Sequence, residues 1–237
     1  MAISLVKNMR LVLGFTTTVL LTSMTGHALA MSPFQASYQF SYNGKNLGSA
    51  TRTLSKSGNQ WNYVFSARAG GLASATESSR FSFNNGKIIS NDFKRSSKVL
   101  IHNNTLTIDF DPARKIISTR KDDKARSFSW TSGVLDELNA ELQIREDLKA
   151  SGLKSAYPIA DAKEVEARRF IKQGNETVKT SYGTFETVKV KIQHKKPERN
   201  TIFWLAPKLD YLPVKVSHQD GNSSYGLLLT GYKGATQ

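Results

Sequence analysis

Apolar and polar residues alternate singly along most of this chain. Phe34, Ala36, Tyr38, Phe40 and Tyr42 interleave with Gln35, Ser37, Gln39 and Ser41, the period-2 pattern of a half-buried strand. Asn43-Gly44 follows as a hairpin signal. A second run reaches Leu54 and turns at Ser57-Gly58-Asn59, and Trp61, Tyr63, Phe65, Ala67 and Ala69 share one face of a third before Gly70-Gly71. Phe81 and Phe83, Ile88 and Ile89, Val99 and Ile101, then Leu106, Ile108 and Phe110 mark further short runs. Ile116 and Ile117 precede a charged turn, and Phe128 and Trp130 alternate after it. The period then changes. Near residues 134–151 the spacing predicts one helix, capped by Thr131 or Ser132, with Asp136 and Glu137 in its first turn and Gly152 at its end. At about 100° per residue, Val134, Leu135, Leu138, Leu142 and Leu148 share a face with Arg145, and Asp136, Gln143 and Asp147 lie opposite.

Strand spacing returns with Val165 to Ile171, is expected to turn at Gly174-Asn175, and continues through Phe185, Val188, Val190 and Ile192. The stretch from Trp204 to Val216 reads as strand, turn, strand. Pro207 ends the first run because it has no N–H for a ladder, and Leu212, Val214 and Val216 alternate after the turn. Asp220-Gly221-Asn222 turns into a last strand through Tyr225, Leu227 and Leu229. Short turns make neighbouring strands antiparallel, and so many strands must curl, split or close. The expected fold is mainly β: one strongly curved antiparallel sheet, an open or nearly closed barrel of ten to twelve strands, with the helix in its concave side or mouth.

The first 30 residues stand apart. Lys7 and Arg10, an apolar run from Leu11 to Leu21, and Ala28-Leu29-Ala30 form a secretory signal peptide with a small-residue cleavage site. Residues 31–237 are expected to form a single domain of an exported, periplasmic protein without a lipid anchor. The chain has no cysteine, which excludes disulfides, thiol catalysis and cysteine-ligated metals. Its formal net charge is +14. After export a basic surface meets anionic lipid, lipopolysaccharide and cell-wall polymers rather than nucleic acid.

Several segments carry a family resemblance: Phe34-x-Ala36-x-Tyr38, Phe128-x-Trp130, Asp136-x-Leu138 with Arg145, Gly183-x-Phe185 with Val188-x-Val190, and, most specifically, Trp204-Leu205-Ala206-Pro207 through Tyr211-Leu212-Pro213. On these the chain resembles exported bacterial proteins grouped as domain of unknown function 3108. The resemblance implies no particular activity. The fold it implies is similar to curved-sheet-plus-helix envelope proteins that include lipoprotein carriers, an analogy that does not fix function.

Catalytic signatures are absent: no Gly-x-Ser-x-Gly, His-Glu-x-x-His or phosphate-binding glycine loop occurs. His102, His194 and His218 fall in separate segments, and Asp109, Asp111, Asp122 and Asp123 read as turn residues, so neither metal nor cofactor is expected. Two features bear on binding. An aromatic inner face including Trp61, Tyr63, Trp130 and Trp204 suits either a core or the wall of an apolar cavity. Arg145 on the apolar helix face must meet a carboxylate, with Glu77, Asp92 and Asp109 as candidates, or a ligand anion. The leading expectation is therefore a monomeric, non-enzymatic binding protein that holds a lipid or lipoprotein acyl chain, with ligand contacts from Arg145, Trp61, Tyr63, Trp130 and Trp204. A basic surface module for anionic envelope partners is the alternative, and a hydrolase with a dispersed site is a third reading.

Overall fold

A computed structural model of the protein describes residues 31–71 and 73–234. The expected signal peptide, residues 1–30, and the last three positions lie outside the described residues. Fourteen strands form one antiparallel sheet: β1 Phe34–Tyr42, β2 Lys45–Ser57, β3 Gln60–Ala69, β4 Ala73–Asn84, β5 Lys87–Val99, β6 His102–Asp111, β7 Ile116–Lys121, β8 Lys124–Ser129, β9 Tyr157–Ala160, β10 Val165–Lys179, β11 Thr184–Gln193, β12 Arg199–Ala206, β13 Leu212–Asp220 and β14 Ser223–Gly234. The one α-helix among the described residues, α1, spans Glu137–Ala150. Strand order runs from β8 back to β1, then from β14 back to β9. Every neighbour is thus a hairpin partner except β1 and β14, which bring the two ends of the strand series together. The sheet curls around α1 without closing. Between the edge strands β8 and β9, Leu135 bridges to Ile159, and the Thr119 hydroxyl donates to the Ala162 carbonyl at 3.3 Å.

Mainly β architecture, a single antiparallel sheet and one enclosed helix agree with the pattern. The strand count does not: there are fourteen strands among the described residues, not about ten to twelve. β5 runs through Lys87–Val99 as one strand, with a register shift against β4 between Ser90 and Asp92, so Ile88-Ile89 and Val99 belong to the same strand. Val99 and Ile101 are not one run; a hairpin turn at Leu100 and Ile101 separates β5 from β6. Gly174 is not a turn either. β10 continues past it, and the register shift between Lys172 and Asn175 is a bulge that the positive φ of Gly174 permits. The chain reverses instead at Thr180–Gly183, where the Thr180 amide donates to the Gly183 carbonyl at 2.8 Å.

The helix begins later than the spacing suggests. Thr131 and Ser132 do not cap it. Asp136 does: its backbone is extended and its Oδ1 accepts from the Asn139 amide at 2.9 Å. Val134 closes a turn with its amide donating to the Thr131 carbonyl at 3.1 Å, and Leu135 bridges to β9, its amide donating to the Pro158 carbonyl at 2.9 Å. Nor does α1 keep a solvated side. Asp136, Gln143 and Asp147, placed by spacing on the polar face, are buried together with Asn139, Glu141 and Arg145. The sheet surrounds the helix, so each of these groups needs a partner from a strand or turn. Gln143 accepts from the Ile88 amide at 2.8 Å and donates to the Gly86 carbonyl at 2.9 Å, and Asp147 accepts from the Tyr157 hydroxyl at 2.8 Å.

Candidate binding site in the mouth of the sheet

Cross-strand pairing stacks the inner face of β2–β5 into layers. Trp61 pairs with Phe81 at one end; then come Leu54, Tyr63, Ser79 and Phe93; then Arg52, Phe65, Glu77 and Arg95; then Ala50, Ala67, Ala75 and Ser97; and last Gly48, Ala69, Ala73 and Val99. Side-chain volume is thus large at one end and collapses at the other. A strand of 13 residues extends about 43 Å at about 3.3 Å per residue, and the 14-residue helix about 21 Å at 1.5 Å per residue. The helix therefore fills only part of the trough, and its first turn meets the charged layer.

That layer is a buried polar network. Arg52 Nη1 lies 2.5 Å from Glu141 Oε2 on α1 and donates to the Tyr63 hydroxyl at 3.1 Å, and Tyr63 donates to Glu141 Oε1 at 2.7 Å. The Arg52 guanidinium also lies 5.0 Å from the Phe65 ring centre and 5.8 Å from that of Tyr38. Beside it Arg95 Nε donates to Glu77 at 2.6 Å, its Nη2 bonds Glu137 at the start of the helix, and Arg168 of β10 meets Glu137 at 3.3 Å. Burial raises the Glu77 carboxyl against the pull of Arg95. Burial also pushes Glu137 up, but Arg95 and Arg168 together outweigh it and hold that carboxyl low.

Above the charged layer the mouth is open, in three connected compartments that share lining residues. The apolar one, about 430 Å³, lies over the glycine–alanine rows and is walled by Phe40, Phe65, Val99, Val216 and Leu227. Side chains would narrow it, and at Gly48 the backbone forbids one: a Cβ there would sit 1.9 Å from the Arg68 carbonyl oxygen. A middle compartment of about 360 Å³ passes Arg52 and Glu77 toward Phe170, Ile192 and Phe203. The third, about 580 Å³, is polar: seven cationic side chains, among them Arg95, Arg168, Lys195, Lys196 and Arg199, face four acids, which leaves it electropositive. His194, Thr201 and His218 stand where these spaces meet, with Thr201 Oγ1 2.8 Å from His194 Nε2 and 2.6 Å from His218 Nδ1. Burial, with Arg168 and Arg199 nearby, lowers His194 to about 4, and burial and Arg199 also lower His218, so both imidazoles are neutral at pH 7.

None of the five residues expected to hold a ligand lines these compartments. Arg145 is buried at the other side of the helix, where Nε donates to the Asp210 carbonyl at 3.0 Å and the guanidinium lies 5.0 Å from the Phe34 ring centre. Its expected carboxylates are engaged elsewhere or exposed: Glu77 bonds Arg95, Asp92 bonds Arg80, and Asp109 is at the surface. Trp61 stacks on Phe81 in the filled end, and Trp130 is half-buried in the loop after β8. Tyr63 reaches the site only through Arg52 and Glu141. Trp204 faces the convex side of the sheet, where its register partners are Lys189 and Lys215, whose ammonium groups lie 5.2 and 4.2 Å from the indole centre. Aromatic content alone does not show which face of a strand a ring occupies. The residues that do form the site, Arg52, Arg95, Glu137, Glu141, Arg168 and Arg199, carried one usable signal: Arg52 and Arg95 stand in phase with the inward positions Ala50, Leu54 and Phe93.

A family model described as protein of unknown function (DUF3108) matches residues 37–230. The chain belongs to that family. No curated protein matches it. Among solved structures, a beta-barrel-like protein of domain of unknown function DUF1849 from Brucella abortus is similar, with 13% sequence identity, a TM-score of 0.54, and coverage of 86% of this chain and 98% of that one. At that identity the likeness speaks to fold alone: this DUF3108 chain shares a barrel-like sheet with a protein of a second family.

Proposed function

We propose that this DUF3108 protein is a non-enzymatic binding protein of the bacterial cell envelope that holds an amphiphile in the mouth of its sheet. Its apolar portion lies over the glycine–alanine rows, and its acidic head lies toward Arg168, Arg199 and Lys195. One observation carries the reading. The first turn of the helix meets a charged layer, and beyond it Ala67, Ala69, Ala73 and Ala75 leave an apolar space of about 430 Å³ open beside an electropositive one. Such a space falls within the roughly 300–1,000 Å³ of small-molecule sites, and a few placed charges beside it provide orientation. The Lys7, Arg10 and Ala28-Leu29-Ala30 leader supports a periplasmic location.

The test is native mass spectrometry of protein purified from its own host, beside the variant Ala75→Leu, which narrows the apolar space, and Arg168→Gln, which weakens the head site. The expected result is a co-purifying acidic amphiphile in the wild type, reduced at least tenfold in both variants. Wild-type protein that carries no amphiphile and takes up none from a mixed-lipid extract sinks the reading, as does equal retention in Ala75→Leu.

A further inference from the structure

Two-residue loops close six hairpins among the described residues, and five of them use residues suited to a positive φ. They are Asn43-Gly44, Gly58-Asn59, Asn85-Gly86, Asp122-Asp123 and Gly221-Asn222. The sixth, between β5 and β6, is Leu100-Ile101. Leu100 has φ 55°, the left-handed region that a branched apolar side chain adopts only at steric cost. Nothing covers this tip: Ile101 is 86% exposed, Leu100 60% and Val99 54%. A loop of poor turn chemistry with three consecutive exposed aliphatic residues runs against the solubility of a water-facing hairpin.

The position of the tip suggests its partner. Val99 is both an exposed tip residue and a wall of the apolar compartment, and its cross-strand row continues through Ala73 and Ala69 along that compartment's floor. On the outer side of the same rim, Arg68 and Lys98 both pair with Ser74 and flank a dimple of about 180 Å³ with Gly70 and Gly71, and no acid lines it. Aliphatic residues projecting past paired cations at a pocket rim match the interface of a lipid bilayer, where acyl chains meet phosphates.

We propose that the β5–β6 tip is a membrane-docking wedge for an anionic phospholipid bilayer. Leu100 and Ile101 enter the acyl boundary, Arg68 and Lys98 take lipid phosphates, and the apolar compartment faces the bilayer through Val99. Docking does not depend on the compartment being occupied: vesicle flotation reports on the tip, and co-purifying amphiphile reports on the compartment.

The experiment compares flotation of the purified protein with vesicles of phosphatidylglycerol and phosphatidylethanolamine against vesicles of phosphatidylcholine alone. Leu100→Asn with Ile101→Gly installs the loop residues found at two other hairpins, so it is expected to melt no lower than the wild type while losing at least tenfold in binding. Arg68→Ala with Lys98→Ala is expected to remove the preference for anionic vesicles and flatten the salt dependence. The proposal is overturned if the wild type ignores anionic vesicles or if the Asn-Gly variant floats as well as the wild type. It is also overturned if the variant's only defect is lost self-association in sedimentation, which would assign the tip to a second copy of the chain.

Discussion

Replacing Glu141 with Gln removes the carboxylate from a buried site while keeping its shape. Arg52 then keeps its charge at about 5% exposure, and its short contact to Oε2 and the bond from Tyr63 to Oε1 lose their ionic partner. Breaking a buried ion pair from one side costs about 3–5 kcal/mol, because the remaining charge has neither water nor a counter-ion. The Phe65 and Tyr38 faces beside the guanidinium offset part of this, about 0.5–2 kcal/mol. The expected loss is therefore about 2–4 kcal/mol, measured by urea unfolding of wild type and variant at pH 7. Arg52→Met with Glu141→Leu removes both charges and is expected to recover most of the loss, since apolar replacement of a whole buried pair is often neutral or stabilising by about 1–4 kcal/mol. With the single variants Arg52→Met and Glu141→Leu, the double variant closes a cycle whose coupling should exceed about 1.5 kcal/mol. A Glu141→Gln loss below about 1 kcal/mol, with no coupling, would refute the reasoning: it would mean that water in the middle compartment solvates Arg52 and that the charged layer is not the floor of the mouth.

Two further predictions concern the helix. Arg145→Met strips a donor from the Asp210 carbonyl, which sits in a turn where Asp210 and Tyr211 both have positive φ; an expected cost of about 1–3 kcal/mol, read from thermal melts, comes with unchanged ligand retention, and a loss of ligand would place Arg145 in the site after all. Burial raises the Asp136 carboxyl to about 7, against the Ser79 hydroxyl and the Asn139 amide, so the folded protein holds a proton that the unfolded chain releases near pH 4. This stabilising contribution is full below about pH 4 and is lost as pH rises through about 7; melts from pH 5 to 8 should fall more steeply for the wild type than for Asp136→Asn, which keeps a capping oxygen, and parallel slopes would show that Asp136 is ionised throughout.

Alternation along Phe34–Tyr42, the Asn-Gly turns and the Pro207 stop sufficed to read strands, hairpins and an all-antiparallel sheet, because each is a local property: a period, a φ preference or a missing N–H. One helix among strands was legible for the same reason, as a change of period. The extent of β5 was less legible, since a register shift near its middle interrupts the alternation and Arg95 takes an inward position that apolar residues hold elsewhere in the strand. Spacing sets Asp136, Gln143 and Asp147 opposite the apolar face and goes no further; the curled sheet decides that they, with Glu141, are buried against partners. Arg52 and Glu141 are 89 positions apart, and only closure of β2 around α1 makes them a pair. The site itself is defined by small residues. Ala67, Ala69, Ala73 and Ala75 look featureless in a sequence, and they become a compartment only when cross-strand register places them side by side beyond the reach of a helix too short to cover them.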